Sequence, residues 1–143
     1  MTTEFNQIIA VSTIRIIVGI LFFFQGYDKV FTVGMKEVTA TMKASFSYNR
    51  LPEGFLSLIA FFTSWIELIC GFLLILGFFK YFAAYLLCLN LVVVVWGFSM
   101  AKPMWETGHV FIRLILLIMF LLAPIEWDKI SVDYLFALSK LQA

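Results

Sequence analysis

The chain has 143 residues, of which 63% are hydrophobic and 13% are charged, and its mean hydropathy is +1.01. A soluble domain is typically about half apolar and about a quarter charged, so this composition predicts an integral membrane protein and excludes an ordinary soluble enzyme domain. The formal net charge of +1 argues against nucleic acid as a partner. At this length we expect one membrane domain, residues 1–143, with no soluble module beside it.

Four apolar segments are long enough to cross a membrane as helices. About 20 apolar residues cover about 30 Å of hydrocarbon at about 1.5 Å per residue. We predict spans at approximately 8–31, 55–79, 81–101 and 109–125, with a polar loop at 32–54. The short later connections favour antiparallel neighbours. The predicted fold is therefore an all-α, up-down-up-down four-helix bundle with both termini on one membrane face, which we call side A.

The first span is expected to be retained, because "MTTEFNQ" carries an acid and no base and therefore differs from a signal peptide. Basic residues near the span ends slightly favour the opposite face, side B, as the cytoplasmic one. Within this span Arg15, Gly19, Phe22, Gly26 and Lys29 recur at helical spacing and form one stripe. Small Gly19 and Gly26 predict the close approach of a neighbouring helix.

Polar residues inside the spans are predicted to form two layers. Counting the helical rise from side A places four of them toward the middle of the membrane: Arg15, Glu67, Asn90 and Arg113. Four others are predicted at the side B rim: Gln25, Asp28, Lys29 and His109. Ionisable groups at a helix centre cost on the order of 2.5 to 3.5 kcal/mol each, so they usually face the bundle interior. Because Glu67 and Arg113 have the same predicted depth, we expect them to pair.

Each of these residues also has a simpler structural explanation. A Glu67–Arg113 ion pair would only hold the bundle together, and Arg15 would extend its side chain to the side A interface. Asp28 and Lys29 would be interfacial charges. His109 is either a rim residue or a proton carrier. Gln25 and Asn90 would be hydrogen-bonding links between helices.

The sequence offers little for a metal or a covalent cofactor. A single histidine cannot supply the two imidazoles of a membrane haem, and no spacing suggests zinc or iron–sulfur ligands. Cys70 and Cys88 have similar predicted depths but form no Cys-x-x-Cys motif. We therefore predict no metal site and treat both cysteines as small core residues.

A family resemblance rests on "RIIVGILFFFQGYDKVF" in the first span, "ELICGFLLILGFFKYFAAYLL" across the second and third, and Arg113 in the fourth. In these residues the sequence resembles the DoxX family of small four-helix bacterial membrane proteins. The family takes its name from a subunit of a thiosulfate:quinone oxidoreductase, and other members are associated with membrane redox or thiol-stress partners. By this resemblance the candidate site residues are Arg15, Gly26, Lys29, Glu67 and Arg113.

The resulting functional expectation is an interior pocket for a small lipophilic molecule, a quinone above all, within a membrane redox system. Asn90 joins the ligand-binding set, and Gln25, Asp28 and His109 form its rim. Expected partners are membrane lipids and either a redox protein or a second copy of the chain, with the bacterial cytoplasmic membrane as the location. The alternative is a non-enzymatic protein that binds lipids or sterols, or that assists the assembly of other membrane proteins. One fold or family can include proteins with several functions, so the resemblance does not decide between these two functions.

Overall fold

The computed structural model describes residues 2–45, 52–101 and 108–141, and the regular elements in these ranges are all helical. The α-helices are α1 Thr3–Tyr27, α2 Met35–Ser45, α3 Glu53–Leu76, α4 Lys80–Ala101, α5 Gly108–Leu122 and α6 Val132–Leu141. A π-helical stretch, Asp28–Val33, continues α1, and a 3-10 turn, Ile125–Trp127, precedes α6. The predicted all-α class is confirmed.

Three helical stretches are long and apolar enough to cross a membrane: Thr3–Val33, Glu53–Leu76 and Lys80–Gly97. Helix α5 is equally apolar in character but shorter, at 15 residues. Large apolar side chains on these helices point outward, with Phe24 62% and Val92 63% exposed. A soluble monomer rarely exposes so much contiguous apolar surface, whereas lipid chains would cover it.

Among the described residues, helices α1 and α3 make the most extensive contact of any helix pair, and small residues allow this contact. Three pairs of residues meet at the crossing: Gly19 with Ile75, Phe23 with Gly71, and Gly26 with Leu68. The two residue numbers of each pair add up to 94, which defines one regular antiparallel register. A Cβ atom at Gly26 would lie 2.7 Å from Leu68 Cα, so a larger residue would push the helices apart. The predicted close approach at Gly19 and Gly26 is confirmed.

Several predicted boundaries were wrong. The segment 32–54, predicted to be a polar loop, contains α2. The predicted fourth span ends as an α-helix at Leu122, because Pro124 cannot continue the α-helical hydrogen bonds. The second span ends at Leu76, since Gly77 adopts a left-handed φ of +70°. There the Phe78 amide donates to Leu73 O (3.0 Å), which closes a Schellman cap.

The segment after α5 folds back over the turn between α3 and α4. The Asp133 carboxylate accepts hydrogen bonds from the backbone amides of Phe79 (2.9 Å) and Lys80 (3.1 Å), which are otherwise unsatisfied at the start of α4. The Asp133 amide in turn donates to Gly77 O (3.0 Å). This contact ties residues far apart in the chain together at one end of the bundle, which we call the side A end.

Candidate functional site

Glu67 is the centre of a polar cluster inside the bundle. Its side chain, on α3, is 1% exposed. Lys29 Nζ, from the π-helical continuation of α1, lies 2.6 Å from Glu67 Oε2, and Asn90 Nδ2, from α4, donates to Oε1 at 3.3 Å. A carboxylate withdrawn from water needs such partners, because an isolated buried charge is costly. The Glu67 cluster therefore joins three helices through one side chain.

The register of α1 against α3 explains why Lys29 reaches Glu67. Facing residues of α1 and α3 have numbers that add up to 94, so Glu67 lies level with Tyr27, two residues before Lys29. The sequence had assigned Lys29 to the side B rim and Glu67 to a deeper layer. The structure brings the two layers together at this point, and Lys29 remains 25% exposed.

Arg113 lies beside the Glu67 cluster without a carboxylate of its own. Its guanidinium sits over the ring of Phe22, with Cζ 5.7 Å from the ring centroid, and it interacts electrostatically with Glu67. Among the residues that the structure describes, no carboxylate lies within salt-bridge distance of Arg113 and no acceptor is hydrogen-bonded to it. The predicted Glu67–Arg113 pair was wrong: the groups bonded to the two oxygens of Glu67 are Lys29 and Asn90.

Asn90 also keeps an unused hydrogen-bonding atom. Its side chain is 3% exposed, and Oδ1 is buried with no partner among the described residues. The amide orientation follows from chemistry, because turning the oxygen toward the Glu67 carboxylate would set two acceptors against each other. Gln25 Oε1 and Trp65 Nε1 are likewise buried without a partner in the described ranges. Buried polar atoms are usually satisfied, so such atoms call for an explanation.

Arg15 does not belong to the Glu67 cluster. It is 1% exposed and lies at the side A end, where the α1–α3 register places it level with Phe79, beyond the last residue of α3. Its guanidinium donates to the backbone oxygens of Leu74 and Ile75 at the end of α3, and to Ile130 O. Its Nε lies 3.1 Å from Asp128 Oδ2. The prediction of one layer containing Arg15 and Glu67 was therefore wrong.

Asp128 organises this second cluster, which we call the side A clasp: Ser12, Arg15, Lys80, Asp128 and Ser131. Lys80 Nζ lies 2.8 Å from Asp128 Oδ2 and donates to Ser131 Oγ at 3.0 Å, while Ser12 Oγ donates to Asp128 Oδ1 at 3.2 Å. All five residues are buried. The clasp has the character of a structural cluster, because its charged groups contact one another and backbone oxygens.

An exposed pair lies next to the clasp and contrasts with it. Lys129 Nζ donates to Glu4 Oε1 at 2.5 Å, and this hydrogen bond, together with the charge of Glu4, raises the pKa of Lys129. Glu4 is 65% and Lys129 36% exposed, so solvent screens the pair. It contributes little to stability compared with the buried clasp.

The remaining predicted site residues lie outside the two clusters. Gly26 is at the α1–α3 crossing against Leu68, and Asp28 and His109 are both exposed. Asp128 and Lys80 were not among the predicted site residues, because both lie outside the predicted spans. A basic residue about two helical turns inside the end of a predicted span, such as Arg15, is a signal that could have prompted a search for an acid near Pro124.

The family model that matches the chain is DoxX, over residues 10–100. The match covers more than half of the 143 residues and includes Arg15, Lys29, Glu67 and Asn90, while Arg113 and Asp128 follow it. No curated protein and no solved structure matches the chain. With its long apolar helices, the chain is a membrane protein, and it belongs to the DoxX family.

Proposed function

We propose that the protein binds a small lipophilic molecule with carbonyl oxygens, a quinone, inside the bundle next to the Glu67 cluster. In this proposal it serves as the membrane component of a redox system in a bacterial cytoplasmic membrane. Family membership supports a membrane role but not this ligand. The proposal rests on unsatisfied polar groups of the site.

The observation that carries the proposal is that Arg113 has no paired carboxylate among the described residues. Lys29, Glu67 and Arg113 together carry an excess of one positive charge, and the described residues give the Arg113 guanidinium only a ring face and a more distant carboxylate. A charge inside the membrane is costly unless it is compensated. An oxygen of a bound ligand would accept hydrogen bonds from this guanidinium and offset its charge.

The donor and acceptor set fits a quinone headgroup. A bound quinone would supply reversible two-electron carrier chemistry, and its carbonyl oxygens become more negative on reduction. Arg113, held in place by Phe22, would present planar N–H donors to one such oxygen and stabilise the developing charge. Asn90 Oδ1, which lacks a partner in the described residues, would accept a hydrogen bond from a hydroxyl of the reduced form.

A binding titration with a water-soluble quinone analogue, performed on the purified protein in detergent, tests this assignment. We expect Arg113→Met to weaken binding by about 10-fold or more, the scale of a lost hydrogen bond to a charged group. Arg113→Lys should recover part of the affinity, because it keeps the charge and loses the planar fork. Lys129→Gln removes a distant exposed charge and should bind like the wild type. Equal affinities in all four proteins would overturn the assignment.

The alternative of a lipid-binding or assembly protein gives a different result in a second measurement. Mass spectrometry of the lipid extract of the purified protein should detect a quinone if the proposal holds. A sterol or other lipid without a quinone, or a stoichiometric partner protein without any small molecule, would favour the alternative.

A further inference from the structure

A second candidate site lies away from the Glu67 cluster, between α2 and the start of α3. The two helices enclose a groove of about 340 Å³. Helix α2 contributes Met35, Lys36, Thr39 and Lys43 to its walls, and α3 contributes Ser57 and Phe61. This volume falls at the lower end of the range of roughly 300 to 1,000 Å³ for small-molecule sites. None of these residues contacts Glu67 or belongs to the side A clasp.

The groove carries positive charge. Lys36 and Lys43 are seven residues apart, so they lie on the same face of α2. Lys36 is exposed, and no carboxylate in the described ranges lies within salt-bridge distance of it. Lys43 pairs with Glu53 at 2.8 Å, but the two side chains are 40% and 79% exposed, so this pair is weak. Glu37, the single acid of α2, does not line the groove.

The position of α2 sets this charge at the level of lipid headgroups. Helix α2 has 11 residues, too few to cross a membrane, and it follows the spanning stretch Thr3–Val33 and precedes the spanning helix α3. It therefore lies at the side B end of both spans, where a short amphipathic helix rests in the membrane interface. Lysines at this level attract anionic lipids.

The groove also has the mixed chemistry of a phospholipid. Met35 and Phe61 provide apolar wall, and the hydroxyl groups of Thr39 and Ser57 stand beside the two lysines. From this combination we infer that the groove binds the phosphate headgroup of an anionic phospholipid of the side B leaflet, with Lys36 and Lys43 on the phosphate. The part of an acyl chain nearest the headgroup lies along Met35 and Phe61. The inference is independent of the quinone proposal, which concerns a different part of the bundle.

A lipid fits the groove better than a free anion. Two solvent-accessible lysines hold an ion dissolved in water only weakly, because water screens the attraction. A lipid is already concentrated at the interface and adds apolar contact. Each lysine near an anionic surface contributes about a fivefold preference, so two lysines give on the order of 25-fold at most.

The test compares phosphatidylglycerol with phosphatidylcholine in native mass spectrometry of the full chain in detergent. We expect the wild type to prefer phosphatidylglycerol by about five- to 25-fold. The double variant Lys36→Gln, Lys43→Gln should lose this preference. The matched control Lys129→Gln, Lys140→Gln removes the same charge at the other end of the chain and should retain it.

Glu53→Gln provides a variant with the opposite expected effect. Glu53 is 79% exposed, so its replacement should not disturb folding, and it frees Lys43 from its only carboxylate within salt-bridge distance in the described ranges. The preference for phosphatidylglycerol should then rise, by up to about fivefold. An unchanged preference in both the double lysine variant and Glu53→Gln would overturn the inference. Inorganic phosphate that displaces the bound lipid at millimolar concentration would also overturn it, because a free anion would then be the occupant.

Discussion

Lys29 and Glu67 form an ion pair of 2.6 Å whose two members are unequally buried, with Lys29 25% and Glu67 1% exposed. The loss in free energy of unfolding should therefore depend on which of the two partners is replaced. Lys29→Met strands a buried carboxylate and should lower the free energy of unfolding by about 3 kcal/mol. Glu67→Gln keeps hydrogen-bonding capacity next to Asn90 and leaves Lys29 able to extend toward side B, so it should cost about 1 kcal/mol.

Denaturant unfolding in detergent, followed by circular dichroism, measures both costs. The double variant Lys29→Met, Glu67→Gln should be more stable than Lys29→Met alone, because the carboxylate that Lys29→Met strands is then replaced by a neutral amide. A double variant as unstable as the sum of the two single variants would show that the pair does not act as a unit.

Asp128 should be among the most sensitive positions for stability. Asp128→Asn leaves Arg15 and Lys80, which are both buried, without their shared carboxylate and should cost about 3 to 5 kcal/mol. Asp133→Ala removes only the cap of α4 and should cost about 1 kcal/mol. Lys129→Gln, in the exposed pair, serves as the control and should change thermal unfolding little. A ranking with Asp133 above Asp128 would contradict the structural role of the clasp.

The α1–α3 crossing predicts opposite results for two glycine substitutions. At Gly26 a methyl group would overlap the backbone of Leu68, so Gly26→Ala should destabilise the protein by about 1 to 3 kcal/mol. At Gly54, in the first turn of α3, nothing lies within 4 Å of the added atom, and Gly54→Ala should be neutral or stabilising by up to about 1 kcal/mol. Equal melting temperatures for the two variants would be incompatible with this close approach.

Membrane topology can be tested with single cysteines in a background where Cys70 and Cys88 are replaced by alanine. Four spans put both ends of the described chain on one side, so cysteines at Thr3 and Lys140 should react with an impermeant maleimide added from the same side. A cysteine at Lys43 should react only from the other side. Labelling of Thr3 and Lys140 from opposite sides would rule out four spans.

The sequence predicted the helical class, the small-residue contact and the polarity of the interior, but not the register between α1 and α3. Aligning the side A ends of predicted spans 8–31 and 55–79 sets residue 8 opposite residue 79. The numbers of that pair add up to 87 instead of the observed 94, a shift of seven residues or about 10 Å. This shift moved Arg15 out of the predicted layer and brought Lys29 to Glu67. The apolar pattern of a helix determines which of its faces is buried. The glycines at the crossing determine the axial register between α1 and α3.

Three of the residues that were predicted to share one layer do lie near one another. Glu67 and Asn90 are in contact, and Arg113 lies close by. Their predicted depths carry little error, because few residues separate predicted spans 55–79, 81–101 and 109–125 in the sequence. The family resemblance placed Arg15 in the predicted ligand-binding set, and no acid of the predicted spans was expected to pair with it. The missing acid, Asp128, comes after Pro124 and returns to the bundle through a turn that hydropathy does not reveal.

The side A clasp also has a consequence for the order of events during synthesis. Arg15 and Asp128 are separated by 113 positions in the chain, so the ribosome completes helices α1 to α5 before it adds the acid that neutralises Arg15. Before Asp128 is present, the Arg15 guanidinium has only the carbonyl groups at the end of α3 as partners. Lys80 likewise lacks the Asp128 carboxylate with which it pairs in the folded protein. Closure of the bundle at this end therefore has to follow the emergence of Asp128 from the ribosome.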